Sequence, residues 1–343
     1  MSGRRWVLAV LFLFSLPLHG CGHVDRSVHL SPQKPACLPH ELAEEVFALD
    51  PDALSERDVT EVLSRCPAPR IVMLDGSVPL VTMESFAKFL IRMGYPEESI
   101  CDPRNASYSY SSYKDSRELA GMIAWYYEAE GMMPMVIGHS QGGMRAIEIL
   151  HEMAGSFHEK VAVWNPISER FEERHTIIDP LTGKERTVVG LKLSFASAIA
   201  TGKGMRLLLM QWDMLSRLRR IPDSVEEFTG FHLNYDLISG TLFGVGPGDQ
   251  YYPMGSARVR NVTLPSGSSH LGILRTEELA GNPETRAWIQ RYVPSGEPSE
   301  WMGNPEGSHP NIRLAADLWY AIKKHWCMAL KEWILARDRG MKD

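Results

Sequence analysis

One stretch, Met135-Val136-Ile137-Gly138-His139-Ser140-Gln141-Gly142-Gly143-Met144, limits what this chain can fold into more than any other. A short apolar run leads into Gly-His-Ser-Gln-Gly, and an amphipathic segment follows at once. A serine between two glycines, where a strand turns sharply into a helix, is lifted clear of its own backbone and can act as a nucleophile. Such a turn is crowded and strained, so a side chain at Gly138 or Gly142 would clash. A Gly-rich turn can also hold a serine by chance, so the flanking chain has to decide.

The flanks repeat the same strand-to-helix unit. Ile71-Val72-Met73-Leu74 is an apolar β run stopped by Asp75-Gly76-Ser77. Phe86, Phe89, Leu90 and Met93 then fall at helical spacing, and Gly94 ends that helix. Asp115 with Glu118 three residues on predicts a capped helix, striped by Leu119, Met122, Ile123 and Tyr126 and stopped by Gly131. After the serine, Met144, Ile147, Leu150 and His151 share one side of a helix that Gly155 closes. Val161-Ala162-Val163-Trp164 reads as the next strand. Strands alternating with helices at this spacing imply an α/β fold: a mostly parallel central sheet with helices on both faces.

The alternation lapses between about 168 and 230. Glu169 to Arg186 is charged and loop-like, while Leu207 to Leu218 is apolar over most of its circumference. That segment reads either as a buried core helix or as a helical cap or lid laid over a site. The sheet is expected to resume at Tyr235–Leu242, with Leu237 and Ile238 in the core, and to end at Val259–Leu264. Trp288 to Tyr292 reads as helix, Pro294 to Pro310 as a linker, and Ile312 to Leu335 as a closing amphipathic helix. Leu314, Leu318, Ile322, Trp326 and Trp333 line its apolar side; Lys323, Lys324, Lys331 and Arg337 are expected on a solvated face.

A serine hydroxyl needs a histidine to take its proton, and the imidazole needs an acid to fix its tautomer and stabilise its charge. On this topology the partners follow in the order serine, acid, histidine. His270 lies in the Gly/Ser loop after the last expected strand, where such a base must sit; the other histidines after Ser140 fall on helices, in the linker, before the sheet is complete or, for His232, at the start of a strand. The acid should leave the preceding strand. Asp249, in Gly248-Asp249-Gln250-Tyr251-Tyr252-Pro253, meets that requirement; Asp236 is the alternative, but it falls inside the expected strand. The oxyanion would be met by the backbone N–H of Gln141 and by one from the Gly76-Ser77-Val78 loop, Ser77 first.

With these residues in view, the chain resembles an α/β-hydrolase of the bacterial lipase and esterase branch. Gly-His-Ser-Gln-Gly-Gly is similar to that family's serine turn, and Ser140, Asp249 and His270 match its nucleophile, acid and base. The likeness covers roughly 70–165 and 230–292 and departs at Asp75-Gly76, where the family usually carries His-Gly. It implies a hydrolase domain over 69–293, with its cap at about 168–230, followed at 294–343 by the linker and a packed C-terminal helix. It further implies ester hydrolysis through an acyl-enzyme on a lipophilic small-molecule substrate, with no cofactor. A thioesterase, an amidase or an acyltransferase would use the same triad, and a lipoprotein binding module is the non-catalytic alternative.

The N-terminus reads as a targeting segment. Arg4-Arg5 precede an apolar run, Trp6 to Leu18, too short to span a bilayer. Leu18-His19-Gly20-Cys21 resembles the lipobox of bacterial lipoproteins, departing at His19. The expectation is a signal peptide over 1–20, a lipidated Cys21 as a membrane tether in the cell envelope, and a Pro-punctuated appendage to about 68. Four further cysteines make disulfides plausible, with Cys37–Cys66 and Cys101–Cys327 as the favoured pairing. No Cys or His spacing resembles a metal site. A formal net charge of −6 with no dense basic run argues against a nucleic-acid partner.

Overall fold

The computed structural model describes residues 38–77, 82–202, 212–265, 267, 269–294 and 310–340. Five parallel strands form its central sheet: β1 Ile71–Leu74, β2 Met135–His139, β3 Leu193–Ile199, β4 Val225–His232 and β5 Arg258–Thr263. They lie side by side in chain order, with Val136 opposite Ala196 and Ala196 in turn opposite Phe228. Parallel strands need crossovers, and here these are the helices α2 Glu84–Arg92, α3 Ser116–Glu130 and α4 Gln141–Met153 or the long loops between strands.

Both faces of the sheet are covered, which is why its strands read as near-continuous apolar runs. Ile71, Met73, Ile137, Ile199 and Phe231 face a core shared with α1 His40–Ala48, α2, α5 Pro283–Arg291 and α6 Pro310–Gly340. Val72, Leu74, Val136, Ala198 and Phe228 face the core under α3 and α4. The start and stop signals of α3 work as the sequence predicts: the Asp115 carboxylate accepts from the Arg117 amide at 2.8 Å, and Gly131 closes the helix at φ +85°.

The middle of the chain departs from expectation. Val161 and Val163 are buried, but only Trp164–Asn165 is extended, and it pairs antiparallel with Arg170–Phe171 in a small hairpin; Thr176–Ile178 with Glu185–Thr187 makes another. The strand beside β2 is Leu193–Ile199, and the next is Val225–His232. A cap spanning 168–230 is therefore corrected, because two central strands lie within it. Those strands were obscured by Ser194, Ser197, Glu226 and Glu227. The more apolar Tyr235–Leu242 stretch is loop, with Leu237 72% exposed. His232, expected at the start of a strand, is the last residue of β4. Residues 205–211 of the apolar 205–218 segment lie outside the described residues.

Helix α6 runs for 31 residues and braces the sheet against the N-terminal appendage. Trp319, Ile322 and Trp326 are fully buried. The Trp326 indole donates to the Pro67 carbonyl at 2.9 Å and lies edge-on to Tyr95 with centroids 4.9 Å apart. Lys323 does not lie on a solvated face: it is buried, and its ammonium donates to the carbonyls of Leu54 and Gln290. Burial pulls its pKa down to about 8. Cys66, Cys101 and Cys327 are free buried thiols, which corrects the Cys101–Cys327 pairing; Cys37 and Cys21 lie outside the described residues. Trp326→Ala would open a large cavity and orphan the Pro67 carbonyl. We expect about 3–5 kcal/mol of lost stability, read as a lower urea midpoint with the slope unchanged.

Candidate active site

The site sits at the carboxyl ends of β2, β4 and β5, where an open α/β sheet places its crevice. β2 ends at His139, and Ser140 follows with φ +55° and ψ −116°, a conformation that a non-glycine residue adopts only under strain. The amide of Ser140 donates to the Ile199 carbonyl at 2.8 Å, pinning the turn to the neighbouring strand. Helix α4 starts at Gln141. A Cβ on Gly138 would collide with the Gly142 carbonyl, and one on Gly142 would collide with the carbonyl of Leu74. Both glycines are thus required by close backbone approach, as their spacing predicted.

Three side chains converge there. The His270 Nε2 lies 2.9 Å from Ser140 Oγ, and its Nδ1 lies 2.7 Å from Oδ2 of Asp236. All three residues are buried. Asp236 lies four residues beyond the end of β4 and follows Tyr235, which has φ +59°. Its Oδ1 accepts from the Ile238 amide at 2.9 Å. Burial alone would raise the Asp236 carboxyl, but hydrogen bonds from His270, Ser239 and the Ile238 amide outweigh it and hold the group below its ordinary value. The carboxylate therefore stays charged and can stabilise an imidazolium.

The carboxylate at His270 Nδ1 is that of Asp236 and not of Asp249, the residue expected from the sequence. Asp249 belongs to a short turn, Pro247–Asp249, and its Oδ2 accepts from the Gly246 amide at 2.9 Å, closing its own loop. The expectation that the acid leaves the strand before the histidine points to Asp249 only with that strand at 235–242, whereas it lies at Val225–His232. Once β4 is located, the same rule selects Asp236.

The loop after β1 lies against the nucleophile. A Cβ on Gly76 would stand 3.5 Å from Ser140 Cβ and 3.3 Å from His139 Nδ1. Asp75 holds this loop in place: its carboxylate accepts from the Met83 amide at 2.9 Å and from Ser109 Oγ at 3.0 Å, while burial pushes its pKa up. The Ser77 carbonyl accepts from the Tyr113 hydroxyl at 3.1 Å, leaving the Ser77 amide without an acceptor among the described residues. The Gln141 amide likewise has none. Gly76, the neighbour of Ser77, and Gln141, the first residue of α4, thus adjoin Ser140 at the two places expected to supply oxyanion donors; Val78 lies outside the described residues.

Sequence reasoning gave no part to His139. Its ring packs against His270 with centroids 4.9 Å apart, and neither ring nitrogen has a hydrogen-bond partner among the described residues. Burial, with the neighbouring His270 charge, lowers its pKa to about 3. It is neutral wherever the triad would work, so it adds no positive charge beside the base. Because the folded value lies below the ordinary 6.5, the unfolded chain binds the extra proton between pH 6.5 and about 3. Stability from this group is present above that window and is lost as the pH falls through it, by an amount of order a few kcal/mol. Glu148, raised to about 7 by burial, acts in the opposite sense. Urea midpoints measured from pH 7 to 4 should therefore fall less steeply for His139→Asn than for the native chain; parallel curves would contradict the assignment.

Among the described residues, no group of three or more His, Cys, Asp or Glu side chains is placed to hold a metal ion. No family model matches the chain, and no curated protein matches its sequence.

Proposed function

We propose that this chain is an exported serine hydrolase of carboxylic esters, built on the α/β-hydrolase pattern, with Ser140, His270 and Asp236 as its triad. The observation that carries the reading is the unbroken chain of contacts from Ser140 Oγ through both nitrogens of His270 to Asp236, 2.9 Å and 2.7 Å long. Ser140 attacks the ester carbonyl while His270 Nε2 takes its proton, and the charged Asp236 stabilises the resulting imidazolium. The amides of Gln141 and Ser77 meet the developing oxyanion. His270 then protonates the leaving alcohol, and water, activated by the same base, releases the acyl group.

Support for a lipophilic substrate comes from the apolar side chains around the triad. Leu237 and Phe243 are exposed on the loop that carries Asp236, and Leu271 is exposed next to His270. Among the described residues between β3 and β4, Trp212 and Leu215 are exposed as well. The Cys21 tether belongs to the same proposal, its residues lying outside those described. The test is labelling of the purified chain with a fluorophosphonate, together with turnover of esters of increasing acyl length. A chain that is neither labelled nor active on any ester would overturn the reading.

A further inference from the structure

Against the first turn of α4 lies a set of polar groups that the proposed chemistry does not use. Arg219 is its centre. One guanidinium nitrogen, Nη2, donates to the Thr201 carbonyl at 3.0 Å, and the group lies 4.5 Å over the ring of Tyr251. Its Nε and Nη1 are shut off from solvent and have no hydrogen-bond partner among the described residues. Two more atoms nearby are also buried without a partner, the Thr201 and Tyr251 hydroxyls. Other interior arginines are answered by carboxylates: Arg70 by Glu130 and Arg260 by Asp317. Arg219 has no such partner among the described residues.

The position of this cluster gives it meaning. Thr201 lies two residues beyond the end of β3, whose Ile199 carbonyl holds the Ser140 amide. Its hydroxyl packs against the first turn of α4, where a Cβ on Gly143 would collide with it. Tyr251 sits on Gly230 of β4, likewise close enough that a Cβ there would collide with the ring. The Thr201 hydroxyl thus stands against the first turn of α4, the helix that follows Ser140 and whose N-terminus favours negative charge, with Arg219 bonded to the Thr201 carbonyl and stacked on Tyr251.

Guanidinium nitrogens shut off from water without a counter-ion are costly unless a ligand supplies one. Its fork-shaped N–H groups match a carboxylate or phosphate bidentately, and hydroxyl donors complete such a site. We infer that the substrate is an ester bearing a second, anionic group, a carboxylate or a phosphate, which Arg219 binds with Thr201 and Tyr251 while Ser140 attacks the ester. This rests on the serine-hydrolase reading and narrows its substrate class. The apolar residues around the triad would take the rest of the molecule.

The experiment compares kcat/KM for matched aryl esters of equal acyl length: one ending in a carboxylate, one in a phosphate and one in a neutral methyl ester. The native chain is expected to prefer an anionic ester by about tenfold or more, and the better of the two anionic arms identifies the group. Arg219→Gln should bring the anionic-to-neutral ratio close to one, and Arg219→Lys should restore part of it. Tyr251→Phe, which keeps the stacked ring, should lower the ratio a few-fold and serves if the Arg219 variants do not fold. A native ratio of one or below overturns the inference, as does a ratio unchanged by Arg219→Gln and Tyr251→Phe. Fluorophosphonate labelling of the native chain, run in parallel, separates failure of this inference from failure of the hydrolase reading.

Discussion

Ser140→Ala is expected to abolish fluorophosphonate labelling and to lower kcat on any ester by about 10⁴-fold or more. The hydroxyl is the atom that forms the acyl-enzyme, and no other side chain stands 2.9 Å from His270 Nε2 to replace it. The substitution should not unfold the chain. Alanine removes one oxygen from a buried residue, and the strain of φ +55° is a property of the backbone that either side chain must bear. Circular dichroism and the urea midpoint should therefore stay close to native while activity vanishes. A variant that keeps its label would place the reactive nucleophile elsewhere.

Asp236→Asn is expected to lower kcat by about 10⁴-fold while leaving KM within a few-fold of native. The amide preserves the shape of the side chain but cannot hold His270 in the tautomer that leaves Nε2 free to take the serine proton. It also withdraws the charge that stabilises the imidazolium. Asp249→Asn provides the comparison, because its contact with the Gly246 amide is local to a turn. Its kcat should stay within a few-fold of native. The two variants decide between the residue that the sequence favoured and the one that the structure brings to His270. Equal losses in both, or a loss confined to Asp249→Asn, would overturn the assignment.

The parts of the molecule that could be read from sequence were those written in local chemistry. The turn at Ser140 was legible because two glycines and a strand-to-helix change are needed within a few residues. The capped helix at Asp115, the histidine loop and the C-terminal helix were legible for the same reason. The middle of the sheet was not. β3 and β4 are buried on both faces, and they carry serines, glycine and two glutamates; hydrophobic periodicity therefore favoured Val161–Trp164 and Tyr235–Leu242. That misplacement cost the acid. Lys323 hid in a different way: it reads as part of a basic stripe, and only the packing of α6 against the appendage turns its ammonium toward two buried carbonyls. Arg219, Thr201 and Tyr251 carry no motif at all. They come together through tertiary contacts between segments that are distant in the chain.

The wide spacing of the triad also bears on when the chain first becomes reactive. The serine and the histidine are 130 positions apart, and the acid precedes the histidine by 34. As the chain is made from its amino end, the nucleophile turn can be complete while its base has not yet been synthesised. The base is positioned only after the last strand has docked at the edge of the sheet. Until then Ser140 is an ordinary alcohol, no more reactive than any other serine. On the proposed function, hydrolytic competence would thus arise only after the last strand has docked, so titration of Ser140 by an acylating reagent passes over every chain that has not reached that stage.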